Sequence, residues 1–341
     1  MNNRILDVCW RKQTDQVPVW LMRQAGRYLP EYAELRSRYS FLELCKNPDL
    51  AAEVTIQPVD ILGVDAAILF SDILTPVEAM GMKLDFSPGP VFEHAIASMS
   101  DVDALRIPCI QQDVSYVPEA IRIIRSELNG KVPLIGFGGA PFTLACYMIE
   151  GRGSKDFVRV KQMMYTAPDV YSALMDKLTT MSIEYLNTQI LAGAQIIQIF
   201  DTWGGILSPA DYRTHILPYI TRLIAGLDRM KTPVIYFLKG AGVMLDIVKE
   251  VGTDVVGLDW HVDLSVARDV LGSEMPVQGN LDPAVLFAPP EIIEREVKRI
   301  LEENNGRPGF IFNLGHGVLP MTPVDHVKFM IDCVRKFSAS S

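Results

Sequence analysis

Short apolar runs rich in Val and Ile recur along the chain, and longer stretches with helical spacing separate most of them. The eight runs, each the length of a buried strand, are residues 17–22, 66–70, 133–137, 195–200, 233–238, 255–258, 276–278 and 309–312. The stretches with apolar residues at helical spacing are 42–62, 114–128, 167–191, 209–227, 241–251, 264–271 and 291–303. This alternation predicts an α/β fold, a somewhat distorted (β/α)8 barrel of the TIM type.

Polar and glycine-rich residues follow every one of the apolar runs. In a barrel the carboxyl ends of all strands surround one mouth, where barrel enzymes place their sites. A doubly wound sheet would also place ligands at strand ends, but it would separate some of these clusters, so the pattern favours the barrel. The polar residues that follow the runs include Arg23, Arg27, Asp72, Tyr147, Thr202, Lys239, His261, Asn280 and His316.

No linker divides the chain, so residues 1–341 are expected to form a single domain. The stretch around residues 80–108 carries several Gly and Pro residues, including Ser87-Pro-Gly-Pro90, and is long for a βα loop. We interpret it as an inserted arm that either covers the mouth or lies on the surface.

Composition narrows the classes of function. A net charge of -9 over 341 residues argues against a general binder of nucleic acid or anionic membranes, which would rely on clustered Lys and Arg. No segment reaches the ~18 to 20 uninterrupted apolar residues of a membrane span, and the amino-terminal residues lack a signal-peptide core. Five scattered cysteines without a CxxC pair fit a reducing compartment. We therefore expect a cytoplasmic protein that attracts any anionic ligand locally.

Two arginines leave the end of the first apolar run, in residues 20–32, WLMRQAGRYLPEY. A guanidinium keeps its charge in proteins, and its planar fork matches a carboxylate through two parallel hydrogen bonds. Gly26 permits a turn in which the backbone and both arginines face one point. Arg23 and Arg27 are thus candidate carboxylate-binding residues, and surface arginines on a solvated turn are the alternative.

Residues 20–32 resemble, almost residue for residue, the signature of the uroporphyrinogen decarboxylase family of the tetrapyrrole pathway. The resemblance extends from Pro18 to Val327, and its motifs occur in the expected order. The further segments that resemble family motifs are residues 70–74 (FSDIL), 139–151 (GAPFTLACYMIEG), 200–205 (FDTWGG), 259–263 (DWHVD), 279–283 (GNLDP) and 313–317 (NLGHG).

The resemblance implies the roles of the candidate residues. Asp72 would accept the pyrrole N–H groups at the centre of the substrate, because one carboxylate can accept about four hydrogen bonds; by itself it could equally cap the following helix. Where family members often have Ser, this chain has Thr202, which retains the hydroxyl. The implied catalytic residues are Asp72, Arg23 and Tyr147. The implied substrate-binding residues are Arg23, Gln24, Ala25, Gly26, Arg27, Asp72, Tyr147, Thr202 and His316.

The resemblance also implies decarboxylation of the four acetate side chains of uroporphyrinogen III to methyls without a cofactor or metal. The protonated pyrrole itself would serve as the electron sink. As proton donor, a bound water or His316 is more suitable than Arg23, because arginine is a poor acid. Arg36, Lys239 and Arg152 are weaker candidates for binding outer carboxylates, and a cation on the protein surface is the better interpretation of each.

Two alternatives from other classes remain at this point. Zinc-dependent methyltransferases share the barrel, but they need thiolate ligands such as His-x-Cys, and here His261 is followed by Val262 and Asp263. A tetrapyrrole carrier without turnover would need the same binding residues. The family resemblance further implies a homodimer that acts on a small-molecule substrate.

Overall fold

The computed structural model describes residues 2–86, 89–229 and 231–338. In these ranges the strands are β1 (Ala67–Ile68), β2 (Leu84–Phe86), β3 (Pro90–Phe92), β4 (Leu134–Gly139), β5 (Ile196–Asp201), β6 (Val234–Leu238), β7 (Val255–Gly257), β8 (Val277–Leu281) and β9 (Phe310–Leu314). Seven of them form one curled sheet in the order β1-β4-β5-β6-β7-β8-β9, with every neighbouring pair parallel. The predicted α/β, TIM-type fold is confirmed.

Helices cover the outside of this sheet, and the longest, α11, packs against α8, α9 and α13. The α-helices are α1 (Arg4–Cys9), α2 (Pro30–Arg38), α3 (Phe41–Lys46), α4 (Pro48–Leu62), α5 (Thr75–Ala79), α6 (Met99–Ala104), α7 (Ile110–Asp113), α8 (Tyr116–Leu128), α9 (Pro141–Glu150), α10 (Val158–Thr166), α11 (Pro168–Ala192), α12 (Pro209–His215), α13 (Leu217–Ala225), α14 (Leu245–Val248), α15 (Leu264–Leu271), α16 (Pro290–Asn304) and α17 (Val324–Ser338). Short 3-10 turns are Gly204–Ile206, Ala241–Val243, Lys249–Val251 and Pro283–Phe287.

The first apolar run, residues 17–22, does not form the predicted strand. It closes the barrel through a single parallel bridge between Val19 and Phe312 and through a backbone bond from the Asp65 N–H to the Val19 carbonyl, 2.7 Å long. Side chains take the N–H groups that a strand would pair. The acceptors are the Asp65 carboxylate for Val19, at 2.8 Å, Gln24 Oε1 for Leu21, at 3.1 Å, and Asn313 Oδ1 for Met22, at 3.0 Å.

Two predicted helices are each divided at a proline. The stretch 42–62 becomes α3 and α4, because Asn47 accepts hydrogen bonds from the N–H groups of Asp49 and Leu50 and thereby starts a new helix at Pro48. The stretch 209–227 becomes α12 and α13, with Pro218 in the first turn of α13. The predicted helix over 241–251 is wrong, since the chain there forms only α14 and two 3-10 turns.

Residues 80–108, interpreted above as an arm, contain the antiparallel hairpin β2–β3 and the helix α6; Ser87 and Pro88 lie outside the described residues. The hairpin is tied to the end of α9 by a 2.8 Å bond from the Phe92 N–H to the Gly151 carbonyl. At its other end, the rings of Phe86 and Phe41 lie 4.8 Å apart, and Phe41 in turn lies 5.8 Å from Phe70. The hairpin therefore packs between the segments that carry Asp72 and Tyr147.

Among the helices in the described ranges, none combines the length and the apolar content that crossing a membrane requires.

Candidate active site

Most of the residues singled out from the sequence lie at the carboxyl ends of neighbouring strands, around one mouth of the barrel. Arg23 and Arg27 follow residues 17–22, which we call the closing segment because they close the barrel. Asp72 follows β1 after a short stretch. Tyr147 lies on α9 after β4, Thr202 directly follows β5, and His316 follows β9. The mouth therefore collects side chains from five of its eight rim positions.

Arg23 occupies a left-handed backbone conformation, with φ of 60°. This conformation costs a residue with a Cβ about 1 to 2 kcal/mol, and it turns the chain at the end of the closing segment. The exposed side chain of Arg23 lies against Gly317, where a Cβ would be only 2.3 Å from Cδ of the arginine. Within the described ranges it makes no ion pair or hydrogen bond, so its guanidinium is available to a ligand.

The remaining residues of the 23–27 turn differ in how they face solvent. Gln24 is buried and uses both ends of its amide inside the protein, accepting from the Leu21 N–H and donating to the Ala66 carbonyl at 3.0 Å. Ala25 and Gly26 are half-buried, and Arg27 is exposed at the entrance to α2. A ligand at this turn would therefore meet backbone atoms and the two arginines rather than the Gln24 side chain.

Asp72 lies where water is largely withdrawn from its carboxylate. Burial raises its pKa from 3.8 to about 6, against the opposing effects of a hydrogen bond from the Leu74 N–H and the positive charge of Arg23. The Leu74 N–H donates to Oδ1 at 2.8 Å, which is the turn-capping role considered from sequence. No other hydrogen bond to this carboxylate occurs in the described part of the chain. Its second oxygen therefore retains capacity to accept hydrogen bonds in the mouth.

Tyr147 is packed among aromatic rings. The rings of Phe157 and Trp203 each lie 6.2 Å from it in edge-to-face geometry. Burial raises the pKa of Tyr147, and the negative charge of Asp72 acts in the same direction. The indole nitrogen of Trp203 lies near enough to affect this hydroxyl but outside hydrogen-bond geometry, and it has no partner in the described ranges. Tyr147 thus stays protonated and can donate.

His316 is a neutral imidazole at ordinary pH. Burial lowers its pKa to about 3, and the positive charges of Arg23 and Lys239 contribute to the shift. Its ring lies 6.1 Å from Phe237 of β6. The expectation that His316 has a suitable pKa for donating a proton is therefore wrong, because the acidic imidazolium is scarcely present. It can still offer a neutral N–H to an anion.

A buried network behind the mouth was missed from sequence. Asp201, the last residue of β5, is fully buried and accepts hydrogen bonds from the Thr143 hydroxyl at 2.6 Å and the Tyr236 hydroxyl at 2.7 Å. Thr143 precedes Tyr147 by one helical turn, and its Oγ1 also accepts from the backbone N–H of Trp203 at 3.1 Å. The network therefore ties the helix that carries Tyr147 to the loop that carries Thr202. Its only signal in the sequence is an acid at the end of an apolar run.

We predict that Thr143→Val weakens both stability and activity. Valine fills nearly the same volume but leaves Asp201 without one donor and the backbone N–H of Trp203 without an acceptor, which should cost about 1 to 3 kcal/mol of the free energy of unfolding. Chemical denaturation and the turnover number measure the two effects. Thr143→Ser is the matched control, because it keeps the hydroxyl. Equal stability and activity of the Val and Ser variants would contradict the positioning role.

Within residues 2–86, 89–229 and 231–338, no three or more His, Cys, Asp or Glu side chains are grouped so that they could hold a metal ion. The five cysteines are unpaired, and Cys109 is exposed while the other four are buried.

Comparison with known proteins gives consistent results over the full length. A family model described as uroporphyrinogen decarboxylase (URO-D) matches residues 1–337. The chain is 69% identical over 340 residues to a uroporphyrinogen decarboxylase from Pelobacter propionicus, covering 100% of both chains. It is 70% identical over 338 residues to the protein of the same name from Trichlorobacter lovleyi, covering 99% of both.

Solved structures show the same fold at lower sequence identity. A methyltransferase from Methanosarcina mazei superposes with a TM-score of 0.83 at 23% identity, covering 98% of each chain. A B12-independent methionine synthase from Shewanella superposes with a TM-score of 0.58 at 11% identity, covering 86% of this chain and 89% of the other. At these identities the likeness concerns the barrel alone.

Proposed function

This chain belongs to the uroporphyrinogen decarboxylase family, and from that premise we propose how its residues hold and decarboxylate the substrate. Its activity is that of a carboxy-lyase of haem and porphyrin biosynthesis. We infer that it converts the four acetate side chains of uroporphyrinogen III to methyls, giving coproporphyrinogen III and four CO2, without a metal or organic cofactor.

The substrate can supply its own electron sink. A proton added to a pyrrole ring carbon makes the ring cationic, and the electrons of the bond to the carboxylate then flow into the ring as CO2 leaves. A second proton on the resulting exocyclic methylene forms the methyl, and loss of the ring proton restores the pyrrole. Over these steps two protons are added and one is lost, so one net proton is consumed for each CO2 released. The protein therefore needs to supply only charge stabilisation and positioning.

We propose that Asp72 accepts the pyrrole N–H groups and stabilises the cationic ring. The observation that carries this assignment is the desolvated Asp72 carboxylate, which has one oxygen directed to no hydrogen bond among the described residues and lies beside Arg23. A preorganised charge in a partly dry site is often the largest contribution to catalysis. With a pKa of about 6, Asp72 is mainly ionised at neutral pH.

The other residues would orient the substrate. Arg23 and Arg27, whose guanidinium groups have no ion pair in the described part of the chain, would bind its acetate and propionate carboxylates. Tyr147 and His316 would each donate a neutral hydrogen bond, since burial raises the pKa of the first and lowers that of the second. Thr202 is half-buried beside Trp203 and keeps a hydroxyl available. The group that delivers the reacting proton is then a bound water rather than His316.

A methyltransferase activity is not favoured. The likeness to the Methanosarcina mazei methyltransferase concerns the fold, whereas full-length identity of 69% relates the chain to a decarboxylase. The carrier alternative differs from the enzyme in one observable, the release of CO2.

The direct test is anaerobic incubation of metal-stripped protein with uroporphyrinogen III, with products separated by carboxylate number after oxidation. A series from eight carboxylates to four supports the proposal and its independence from metal together. Tight binding with unchanged substrate would instead indicate a carrier.

The pH profile tests the role of Asp72 separately. We expect kcat/KM to fall as the pH drops through about 6, because the carboxylate that stabilises the cationic ring becomes protonated there. His316→Gln should lower activity but keep this acidic limb, since a group with a pKa of about 3 does not titrate in that range. Loss of the limb in His316→Gln would assign it to the histidine and refute the Asp72 assignment.

We also propose a cytoplasmic homodimer. The unpaired cysteines suit a reducing compartment. Exposed apolar residues in the loops after β6 and β9, Val243 at 75% and Met321 at 82% relative accessibility, offer a surface for a second copy. A monomeric mass in sedimentation equilibrium at micromolar concentration would rule out the dimer.

A further inference from the structure

Lys239 is a cation of the mouth that the assignments above do not use. It directly follows β6 and is half-buried. Counted around the barrel from the closing segment, β6 is the fifth of eight positions, so Lys239 emerges diametrically opposite Arg23. No ion pair in the described ranges involves Lys239. The sequence alone favours a surface cation at this position.

The backbone of Lys239 is fixed from both neighbouring loops. On the β5 side, a Cβ at Gly205 would lie 1.9 Å from the Lys239 carbonyl oxygen, so only glycine allows this contact. On the β7 side, the N–H of Gly240 donates to the buried Asp259 carboxylate at 2.6 Å. Asp259 also accepts from the His261 N–H at 3.0 Å. A solvated surface lysine requires no such restraint.

The ammonium group is held over an aromatic platform. Lys239 Nζ lies 5.9 Å from the centre of the Trp260 ring, within the range of a cation–π contact. Trp260 is itself packed on Gly315, where a Cβ would lie 2.8 Å from Cε3 of the indole. Gly315 adjoins His316, and the charge of Lys239 contributes to lowering the pKa of that histidine. The ammonium therefore faces the same space as His316.

Lys239 thus combines an unneutralised charge with a fixed position. Asp259, the acid that organises its loop, already binds the N–H groups of Gly240 and His261 and contacts the His261 ring nitrogen at 3.1 Å. Lys239 is half-buried, and its ammonium has no carboxylate partner within the described ranges, so it is available to an anionic ligand. The proposed substrate is a disc with carboxylates around its entire rim. Cations on one side alone would leave the other side of that disc unheld.

We propose that Lys239 binds a peripheral carboxylate of the tetrapyrrole, on the side of the macrocycle opposite Arg23 and Arg27. The inference rests on the proposed function, in which Asp72 holds the centre of the substrate. With the centre fixed and cations on opposite sides, the macrocycle has a defined rotation in its own plane. Lys239 is in this sense a specificity residue, which selects which acetate approaches the reacting position.

The test compares Lys239→Met with Lys239→Arg. Methionine is an unbranched side chain one atom shorter than lysine and removes the charge, and we expect it to raise KM for uroporphyrinogen III roughly 10- to 100-fold, the loss of one charge-assisted hydrogen bond. We expect kcat to change less, and the KM of Lys239→Arg to remain within about threefold of the parent. Added salt should weaken the parent and the Arg variant more than the Met variant.

Lys231→Met is the matched control, because Lys231 is exposed near the other end of the same strand and its replacement removes the same charge. We expect its KM to match that of the parent. An unchanged KM in Lys239→Met, or an equal rise in Lys239→Arg and Lys239→Met, would overturn the proposal. Unfolding midpoints of all three variants exclude a general loss of structure.

Comparing the KM of substrates that carry acetates with the binding of coproporphyrinogen shows which kind of carboxylate Lys239 binds. If KM rises only for substrates that still carry acetates, Lys239 binds an acetate; if binding of coproporphyrinogen weakens as well, it binds a propionate. Either result supports the assignment. Full activity in Asp72→Asn would refute the proposed function itself, whatever the Lys239 variants show, so the two failures are distinguishable.

Discussion

Asp72→Asn should abolish most of the activity and, at the same time, make the protein more stable. We expect kcat to fall at least about 100-fold, the usual effect of removing one preorganised electrostatic group from an active site. The amide has nearly the shape of the carboxylate, and its oxygen can still accept the hydrogen bond from the Leu74 N–H. What it loses is the negative charge that we propose stabilises the cationic pyrrole.

The gain in stability follows from the pKa of the carboxyl group. Burial raises this pKa from 3.8 to about 6, so the folded state binds the proton more tightly than the unfolded state. Between about pH 4 and pH 6 the stability contribution therefore decreases as the pH rises, and at neutral pH the full cost remains, up to about 3 kcal/mol. Asparagine has no charge to desolvate and escapes this cost.

Thermal unfolding at pH 7.5 and pH 4 measures the effect. Asp72→Asn should unfold at a higher temperature than the parent at pH 7.5, and the difference should shrink at pH 4, where the parent carboxyl is protonated. Asp228→Asn serves as the control, since Asp228 is exposed and should change neither property. A lower unfolding temperature for Asp72→Asn at pH 7.5 would contradict the desolvation argument.

Arg23→Gly should lower kcat/KM by roughly 100- to 10,000-fold, the scale expected when a bidentate carboxylate contact and the positioning it provides are lost. The fold should tolerate the change. Arg23 has φ of 60°, a conformation that glycine adopts without the Cβ penalty, and this relief offsets the greater flexibility of glycine in the unfolded chain. The free energy of unfolding should stay within about 1 kcal/mol of the parent.

A matched control exists in the same chain. Arg11 is also an exposed arginine with a left-handed backbone, φ of 59°, but it lies beside Thr253 and Asp254, ahead of β7 and away from the mouth. Its contact with Glu274, 3.4 Å long, is an exposed pair of little energetic weight. Arg11→Gly should keep full activity. Equal losses of kcat/KM in the two variants would mean that backbone flexibility, rather than the Arg23 guanidinium, is responsible.

Arg23 also affects the groups around it. Its positive charge lowers the pKa of Asp72 and of His316. Residual activity of Arg23→Gly should therefore show an acidic limb displaced to higher pH than that of the parent, because Asp72 becomes harder to ionise. A pH–rate profile of the variant at high enzyme concentration measures this displacement.

The barrel was predictable because strand periodicity and buried apolar runs are local properties of the sequence. Seven of the eight runs form strands of one parallel sheet. The remaining run, residues 17–22, does not form a strand, because its backbone N–H groups bind side chains, two of which, Asp65 and Asn313, are remote in sequence. Such partners leave no periodic signal. The division of the 42–62 helix, in contrast, could have been predicted from Asn47 and Pro48.

The site was predictable only in part. The positions of Asp72 and His316 after strands, and of Arg23 after the segment that closes the barrel, follow from the fold, and the family resemblance implies their roles. Protonation states could not be predicted, since the pKa of His316 depends on burial and on Arg23 and Lys239 together. The restraint of Lys239 by Gly205 and Asp259 requires contacts between loops far apart in sequence.

The side-chain bonds that hold residues 17–22 have a consequence for the order in which the molecule is completed. Until that segment docks, β1 and β9 are two open edges with unpaired backbone groups, a form prone to association with other chains. The docking site needs Phe312 and Asn313, which are synthesised late, so residues 17–22 cannot dock until most of the chain has been made. Arg23 directly follows the docked segment. The docking step that closes the barrel therefore also places the proposed carboxylate-binding arginine, and an unfinished chain has neither the closed barrel nor this binding residue.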